Sequence, residues 1–138
     1  MDGKIVLGPG TLISIKDLCV LQITNNTVSA HMGYNNAFYV DFTSNSAAQC
    51  QYDGLLLELK KFGLVPISKN FAVVAPAIVN IFRKSTWKTK CLCARKYVGE
   101  RGIIQFQHNY RWKFEFSTEE KANRFLAGVI EQIRTSAK

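Results

Sequence analysis

The strongest constraint on the fold is a strict alternation of aromatic and charged residues near the end of the chain. In residues 110–116, YRWKFEF, an aromatic side chain occupies every second position, and Arg, Lys and Glu fill the positions between them. Successive side chains of a β-strand point to opposite faces, so this pattern predicts a half-buried antiparallel strand. The preceding GIIQFQ predicts its partner strand, with a hairpin turn at His108 and Asn109. We expect the aromatic face to be part of the core rather than a surface on which nucleic-acid bases stack.

An amphipathic helix is predicted directly after this strand, over about residues 117–135. Ser117 suits the N-cap position and Glu120 follows three residues later, which is a capping box. Apolar residues recur at helical spacing along one stripe, formed by Ala122, Phe125, Leu126, Val129, Ile130 and Ile133.

The first third of the chain predicts short strands. Residues 11–24 indicate one or two strands around Asp17, and residues 27–32 and 37–42 predict two more. The turns between them are expected at Asn25–Asn26 and at residues 33–36, where Asn and Gly favour tight turns.

A short helix is predicted in the middle of the chain. Asp53 can cap it, leucines give it an apolar stripe, and Gly63 suits its C-terminal end, while residues 43–50 are interpreted as a polar loop. Pro66 and Pro76 exclude a regular helix across the next run, so strands are predicted at residues 71–74 and 77–82. Together these elements predict one β-rich α+β domain over residues 1–138, with short antiparallel strands, one short internal helix and a C-terminal amphipathic helix.

The positive charge is concentrated in residues 83–113. The chain has a net charge of +8, and this segment holds nine Lys or Arg residues against the single acid Glu100, so it accounts for the whole excess. A basic segment of this kind favours an acidic partner such as nucleic acid, anionic lipid or an acidic protein. The chain has no long apolar run and no N-terminal signal pattern, so we expect a cytoplasmic protein.

Alternation in TWKTKCLC, residues 86–93, predicts how the basic residues are presented. Trp87, Thr89, Cys91 and Cys93 are expected on an inward face, and the cysteines are interpreted as buried hydrophobic residues. Lys88 and Lys90 are expected to point to solvent, as are Arg111 and Lys113 from the later strand. The alternative interpretation is that these side chains are ordinary solvated charges, or charges that prevent a sheet edge from pairing with another chain.

No pattern in the sequence indicates an enzyme. The four cysteines and two histidines do not show zinc-ligand spacing, and no nucleophile motif or phosphate-binding glycine loop is present. We therefore expect no catalytic residue, no metal and no cofactor.

Residues 11–82 resemble the LytTR family of bacterial DNA-binding domains. LISIKDLCVLQI, residues 12–23, has the shape of the family's opening strand, with Asp17 and Leu18 at the central pair. GLLLELKKFGLVPISKNFAVV, residues 54–74, resembles the family's short helix and the run that follows it. The resemblance implies an elongated β-rich fold whose loops contact DNA, with Lys69 at a base- or phosphate-contacting position flanked by Ser68 and Asn70. Where the family carries Arg in its final contact loop, this chain has Glu119 and Glu120, which would repel phosphate.

A second resemblance is to pleckstrin-homology-like domains, in which antiparallel strands are followed by one C-terminal amphipathic helix. Residues 110–133 look like such an ending, and basic strand faces in that fold can bind phosphoinositides or acidic peptides.

The sequence thus predicts a duplex DNA-binding protein, and the first resemblance implies a LytTR-like transcription regulator. An anionic lipid or an acidic protein is the alternative partner. The expected nucleic-acid-binding residues are Ser68, Lys69, Asn70, Arg83, Lys84, Lys88, Lys90, Arg95, Lys96, Arg111 and Lys113.

Overall fold

A computed structural model describes residues 3–91 and 94–136 of the chain, and for Lys90 it describes the main chain alone. The larger of its sheets has five antiparallel strands in the order β5-β4-β3-β7-β6. These strands are β3 (Leu18–Thr24), β4 (Thr27–Met32), β5 (Ala37–Asp41), β6 (Leu64–Pro66) and β7 (Phe71–Val74).

A second antiparallel sheet has the order β10-β9-β8. Its strands β8 (Ile78–Cys91) and β9 (Ala94–Phe106) form a long hairpin, and β10 (Arg111–Phe116) pairs with the C-terminal half of β9. Strands β1 (Lys4–Gly8) and β2 (Thr11–Ser14) form a separate pair, and the helices are α1 (Asn45–Leu59) and α2 (Glu119–Ser136).

The aromatic face of β10 joins the two larger sheets. The ring of Trp112 lies 4.6 Å from that of His31 in β4 and 6.3 Å from that of Phe71 in β7. Phe114 packs against Phe125 of α2 at 4.6 Å, so the helix covers the same face. The alternation in residues 110–116 therefore correctly predicted a half-buried strand with its aromatic side chains turned toward the core.

Most of the predicted strands are confirmed. β4 spans the predicted residues 27–32, and a turn at residues 15–17 separates β2 from β3 around Asp17. The hairpin turn between β9 and β10 lies at His108 and Asn109, where φ is +60° and +63°. The predicted strand 77–82 is only the beginning of β8, which continues to Cys91.

The prediction for the internal helix was too short, and the polar loop at residues 43–50 was wrong. α1 begins at Asn45 and runs for 15 residues, and the Ser44 side chain caps it by accepting a hydrogen bond from the Ala47 amide at 3.1 Å. Asp53 therefore lies inside the helix rather than at its cap. The polar residues of the first turns hid the pattern because they face solvent, while Ala48, Tyr52, Leu55 and Leu59 are buried.

The C-terminal helix is confirmed, with its start displaced by one or two residues. Thr118 rather than Ser117 accepts a hydrogen bond from a first-turn amide, that of Lys121, at 3.2 Å. Ala122, Leu126 and Val129 form its buried stripe. The architecture is thus the predicted β-rich α+β class. Within residues 3–91 and 94–136, no helix has both the length and the apolar character that a membrane span requires.

Candidate nucleic-acid interface

The register of the three-stranded sheet brings basic side chains from all three strands to one face. Lys84 of β8 lies opposite Arg101 of β9, which lies opposite Glu115 of β10. Residues that pair directly across antiparallel strands project to the same side. Four residues further along β8, Lys88 lies opposite Lys96 and projects to that side as well.

Two further rows extend this face toward the other end of β10. Phe82, Ile103 and Lys113 form one row, and the next row ends in Arg111, opposite Gln105. We call this surface the basic face and define it by six cations: Lys84, Lys88, Lys96, Arg101, Arg111 and Lys113. From Lys88 to the row of Arg111 it extends about 27 Å, at roughly 3.4 Å per strand residue.

Within the part of the chain that the structure describes, one of these six cations has an acidic partner. Arg101 donates to Glu115 across a distance of 2.6 Å. Among the described residues, no ion pair involves the other five cations of the basic face. Their charge is therefore exposed to solvent and available to an anionic ligand.

An apolar floor lies beneath the long basic side chains. Ile103 is only 2% exposed although it shares the outward side of the sheet with Lys113. The Arg111 guanidinium lies 5.9 Å from the centre of the Phe82 ring, which restrains its position. The stems of Lys and Arg cover apolar surface in this way while their charged ends remain in water.

Arg83 is placed on the opposite side of the sheet. It pairs with Gly102, in the row of Phe114, and its guanidinium contacts Glu100 at 3.2 Å and Glu119 at 2.9 Å. Arg83 therefore links the sheet to the first turn of α2 and does not contribute to the basic face. The sequence indicated that Glu119 would repel phosphate, and in the structure its carboxylate forms an ion pair with Arg83.

Glu100 is a buried carboxylate at the centre of this cluster. The Tyr97 hydroxyl donates to one of its oxygens at 2.5 Å and the Ser85 hydroxyl to the other at 3.1 Å. The pKa of Glu100 is lowered, first by the hydrogen bond from Tyr97, then by Ser85 and the charge of Arg83, which together outweigh burial. The same hydrogen bond raises the pKa of Tyr97. The Glu100 carboxylate thus connects Ser85 of β8 with Tyr97 of β9 and holds the two strands of the hairpin together at this level.

The predicted inward face of residues 86–93 is wrong. Trp87 is 51% exposed, and Thr89 and Cys91 are exposed as well, because this part of the hairpin extends past β10 and no layer of the described chain covers it. Arg95 lies on the same side as Trp87, with its guanidinium 5.2 Å from the centre of the indole ring. Cys93 and the side chain of Lys90 lie outside the described part of the chain.

The predicted loop residues Ser68, Lys69 and Asn70 are exposed but lie apart from the basic face. The Asn70 amide donates to Ser68 Oγ at 3.1 Å, and the Asn70 carbonyl accepts from the amide of Ile23. The side chain of Gln132 in α2 donates to the carbonyl of Ile67, next to this loop, at 3.1 Å. The loop is therefore joined to the helix that covers the aromatic side of β10.

Sequence reasoning omitted Arg101 from the expected binding residues. Its position opposite Lys84 follows from the register of β8 and β9, which cannot be read from one strand at a time. Arg101, Ile103 and Gln105 occupy every second position of β9 and so share one side. This spacing is the signal that could have placed Arg101 on the outward side.

His31 lies within a packed cluster of aromatic rings. His31 contacts Gln22 Oε1 at 3.2 Å and packs among aromatic rings, and burial lowers its pKa. No group of three or more His, Cys, Asp or Glu side chains within the described ranges is arranged to hold a metal ion.

Comparisons with known proteins identify one similar solved structure. No protein-family model matches the chain and no curated protein matches it. A LytTr DNA-binding domain from Bacillus cereus aligns over 94% of this chain and 98% of its own, with 9% sequence identity and a TM-score of 0.47.

Proposed function

We propose that the protein binds duplex DNA through the basic face. The observation that carries this proposal is the strand register, which aligns six cations from three strands on one side. Five of the six are in no ion pair with residues 3–91 or 94–136. Duplex DNA carries one negative charge per about 1.7 Å of its axis, so a surface about 27 Å long faces several phosphates at once. Phosphate contacts of this kind supply affinity and orientation.

A role in transcription regulation is the finer form of this proposal. It is supported by the resemblance of residues 11–82 to LytTR domains. In this form Lys69, flanked by Ser68 and Asn70, contacts DNA from a loop on another side of the molecule. The basic face and the loop are then two separate DNA contacts, and each can be tested alone.

The experiment compares two variants that have the same net charge. In the first, Lys84, Lys88, Lys96 and Lys113 of the basic face are changed to Gln. In the control, four exposed lysines elsewhere are changed to Gln: Lys4, Lys60, Lys61 and Lys121. Fluorescence anisotropy with a 20-base-pair duplex at about 50 mM salt measures binding.

We expect the face variant to lose binding and the control to keep most of it, because the proposal depends on where the charges lie. Equal losses in both variants would reduce the effect to net charge. No binding by the unchanged protein at about 50 mM salt would eliminate the proposal.

An anionic membrane is the second candidate, and one observation favours it. Trp87 is 51% exposed and Tyr97 is 40% exposed on the side of the hairpin opposite to Lys88 and Lys96, and aromatic side chains near lysines are typical of membrane interfaces. Co-sedimentation with vesicles containing phosphatidylserine, in the presence of excess duplex DNA, distinguishes the two partners. Retention on the vesicles would favour the membrane, and release would favour DNA.

A further inference from the structure

The hairpin formed by β8 and β9 projects beyond the rest of its sheet. The last residue of β9 that pairs with β10 is Glu100, opposite Phe116, whereas β8 and β9 remain paired as far as Cys91 and Ala94. We call the described residues of this projection, 86–91 and 94–99, the arm. Its β9 strand extends six residues past Glu100, which corresponds to about 20 Å.

The arm is held in a defined shape although it is only two strands wide. A two-stranded hairpin is marginally stable in water by itself, so additional contacts are needed. The rings of Trp87 and Tyr97 pack edge to face at 5.3 Å, and Arg95 covers the indole. At the base of the arm, Thr86 Oγ1 donates to the Gly99 carbonyl at 2.9 Å, and Tyr97 is anchored on Glu100.

The base of the arm is also fixed to the body of the protein. Arg83 contacts Glu100 in the sheet and Glu119 at the start of α2, so the buried carboxylate that anchors the arm is connected to the helix. Val98 is the extra residue of a bulge between two pairs, Thr86 with Gly99 and Trp87 with Tyr97. Bulges bend and twist a hairpin, so the bulge sets the direction in which the arm leaves the sheet.

The arm carries positive charge that its own neighbours do not neutralise. Residues 86–99 contain no acid. Lys88 and Lys96 lie directly opposite each other, and like charges in such a cross-strand pair are destabilising. A polyanion between or beside the two ammonium groups would remove this repulsion.

The dimensions of the arm select one groove of the duplex. Two paired strands are about 4.8 Å apart, and a sheet with its side chains occupies about 10 Å in thickness. The major groove of B-DNA is about 12 Å wide and about 8.5 Å deep and admits a two-stranded ribbon, whereas the minor groove is only about 6 Å wide. An arm of about 20 Å can lie along the major groove with its outward side, which carries Lys88 and Lys96, facing the groove floor while its base stays outside.

We propose that the arm enters the major groove of duplex DNA, with Lys88 and Lys96 directed at the base edges. This inference rests on the proposed function, because it assigns the groove contact of the same surface. The outward side of the arm continues the basic face, so Arg111 and Lys113 contact the phosphate backbone next to the groove. Lys can donate to the O6 and N7 atoms of guanine, so guanine-containing sites are preferred.

Dimethyl sulfate distinguishes the two grooves, because it methylates guanine N7 in the major groove and adenine N3 in the minor groove. The full-length protein is added to a defined 20-base-pair duplex at saturating concentration. We expect protection of guanine N7 with adenine N3 still reactive. The arm variant combines Lys88→Ala with Lys96→Ala, and the control variant combines Arg111→Ala with Lys113→Ala.

The two variants have the same charge but different expected results. We expect the arm variant to bind at least about tenfold more weakly and to leave guanine N7 reactive even at saturation. The control should also bind more weakly, yet protect guanine N7 fully once saturated. Circular dichroism of both variants confirms that the sheet is intact.

Three results would overturn the inference while leaving DNA binding by the basic face in place. They are protection of adenine N3 instead of guanine N7, protection of neither, or unchanged guanine N7 protection by the arm variant. Failure of the unchanged protein to bind any duplex is a different result, which rejects the proposed function and the arm's role together.

Discussion

Replacing Arg111 and Lys113 with Gln should reduce both the affinity for duplex DNA and its dependence on salt. Both side chains lie on the basic face, and no ion pair involves either of them among the described residues. Each phosphate that a cation neutralises contributes about −0.9 to the slope of log affinity against log salt. We count each of the five cations that have no ion pair among the described residues as one neutralised phosphate charge, whether the cation lies at the backbone or in a groove. This count predicts a slope of about −4.5, and for the double variant a slope of about −2.7.

These slopes give measurable differences in affinity. Raising the salt from about 50 to about 200 mM should weaken binding by the unchanged protein about 500-fold and binding by the variant about 40-fold. At about 0.1 M salt the variant should bind roughly 60-fold more weakly than the unchanged protein, since two contacts are lost. Fluorescence anisotropy with one duplex across the salt series measures all of these values.

The control for this experiment removes the same charge at the end of α1. Lys60 and Lys61 are exposed and belong to neither the basic face nor the arm, so changing both to Gln should leave the slope near −4.5, as roughly five phosphate contacts remain. The reasoning from strand register is refuted if the Arg111 and Lys113 variant keeps the slope of the unchanged protein, or if the control loses as much as that variant does.

Two further predictions concern packing and pH. Gly102→Val should lower the free energy of unfolding by about 1–3 kcal/mol in a urea titration, because a Cβ at this position would lie 3.1 Å from the Phe116 ring. Gly54→Ala, in the exposed part of α1 with nothing within 4 Å, should instead raise it by about 0.5–1 kcal/mol, and destabilisation there would contradict the packing described. Burial lowers the pKa of His31 from its ordinary value of 6.5, so the unfolded chain binds the proton more tightly and stability should fall as the pH drops below about 6.5. His31→Gln should flatten this dependence in thermal melts between about pH 5 and 7, roughly the range in which an imidazole titrates. An unchanged pH profile in this variant would disprove the assignment.

Local patterns predicted elements whose two faces meet different surroundings. The alternation around Trp112 identified β10 because one side of that strand packs against other residues and the other side is exposed to solvent. The stripe through Leu126 identified α2 for the same reason. The first half of α1 was not predicted because its early turns are largely exposed to solvent. In sequence, a polar helix turn resembles a polar loop.

The arm shows why alternation alone does not predict burial. Trp87 alternates with lysines as regularly as Trp112 alternates with Arg and Lys, yet Trp87 is 51% exposed. Alternation states only that two sets of side chains point in opposite directions. Which set is covered depends on whether another layer lies above the strand, and β10 ends before it reaches Trp87.

By itself, the sequence determined the charge of this protein, its concentration in residues 83–113, and the strands and helix that alternate or repeat within a few residues. These properties depend on neighbours along the chain, which a reader of the sequence sees directly. Only the tertiary structure decided that Lys84, Arg101 and Lys113 share one side, that Arg83 is turned to the other, and that the arm stands clear of the sheet. Those outcomes follow from pairing between residues far apart in the chain, because a shift of one residue in register would exchange the two faces of a strand.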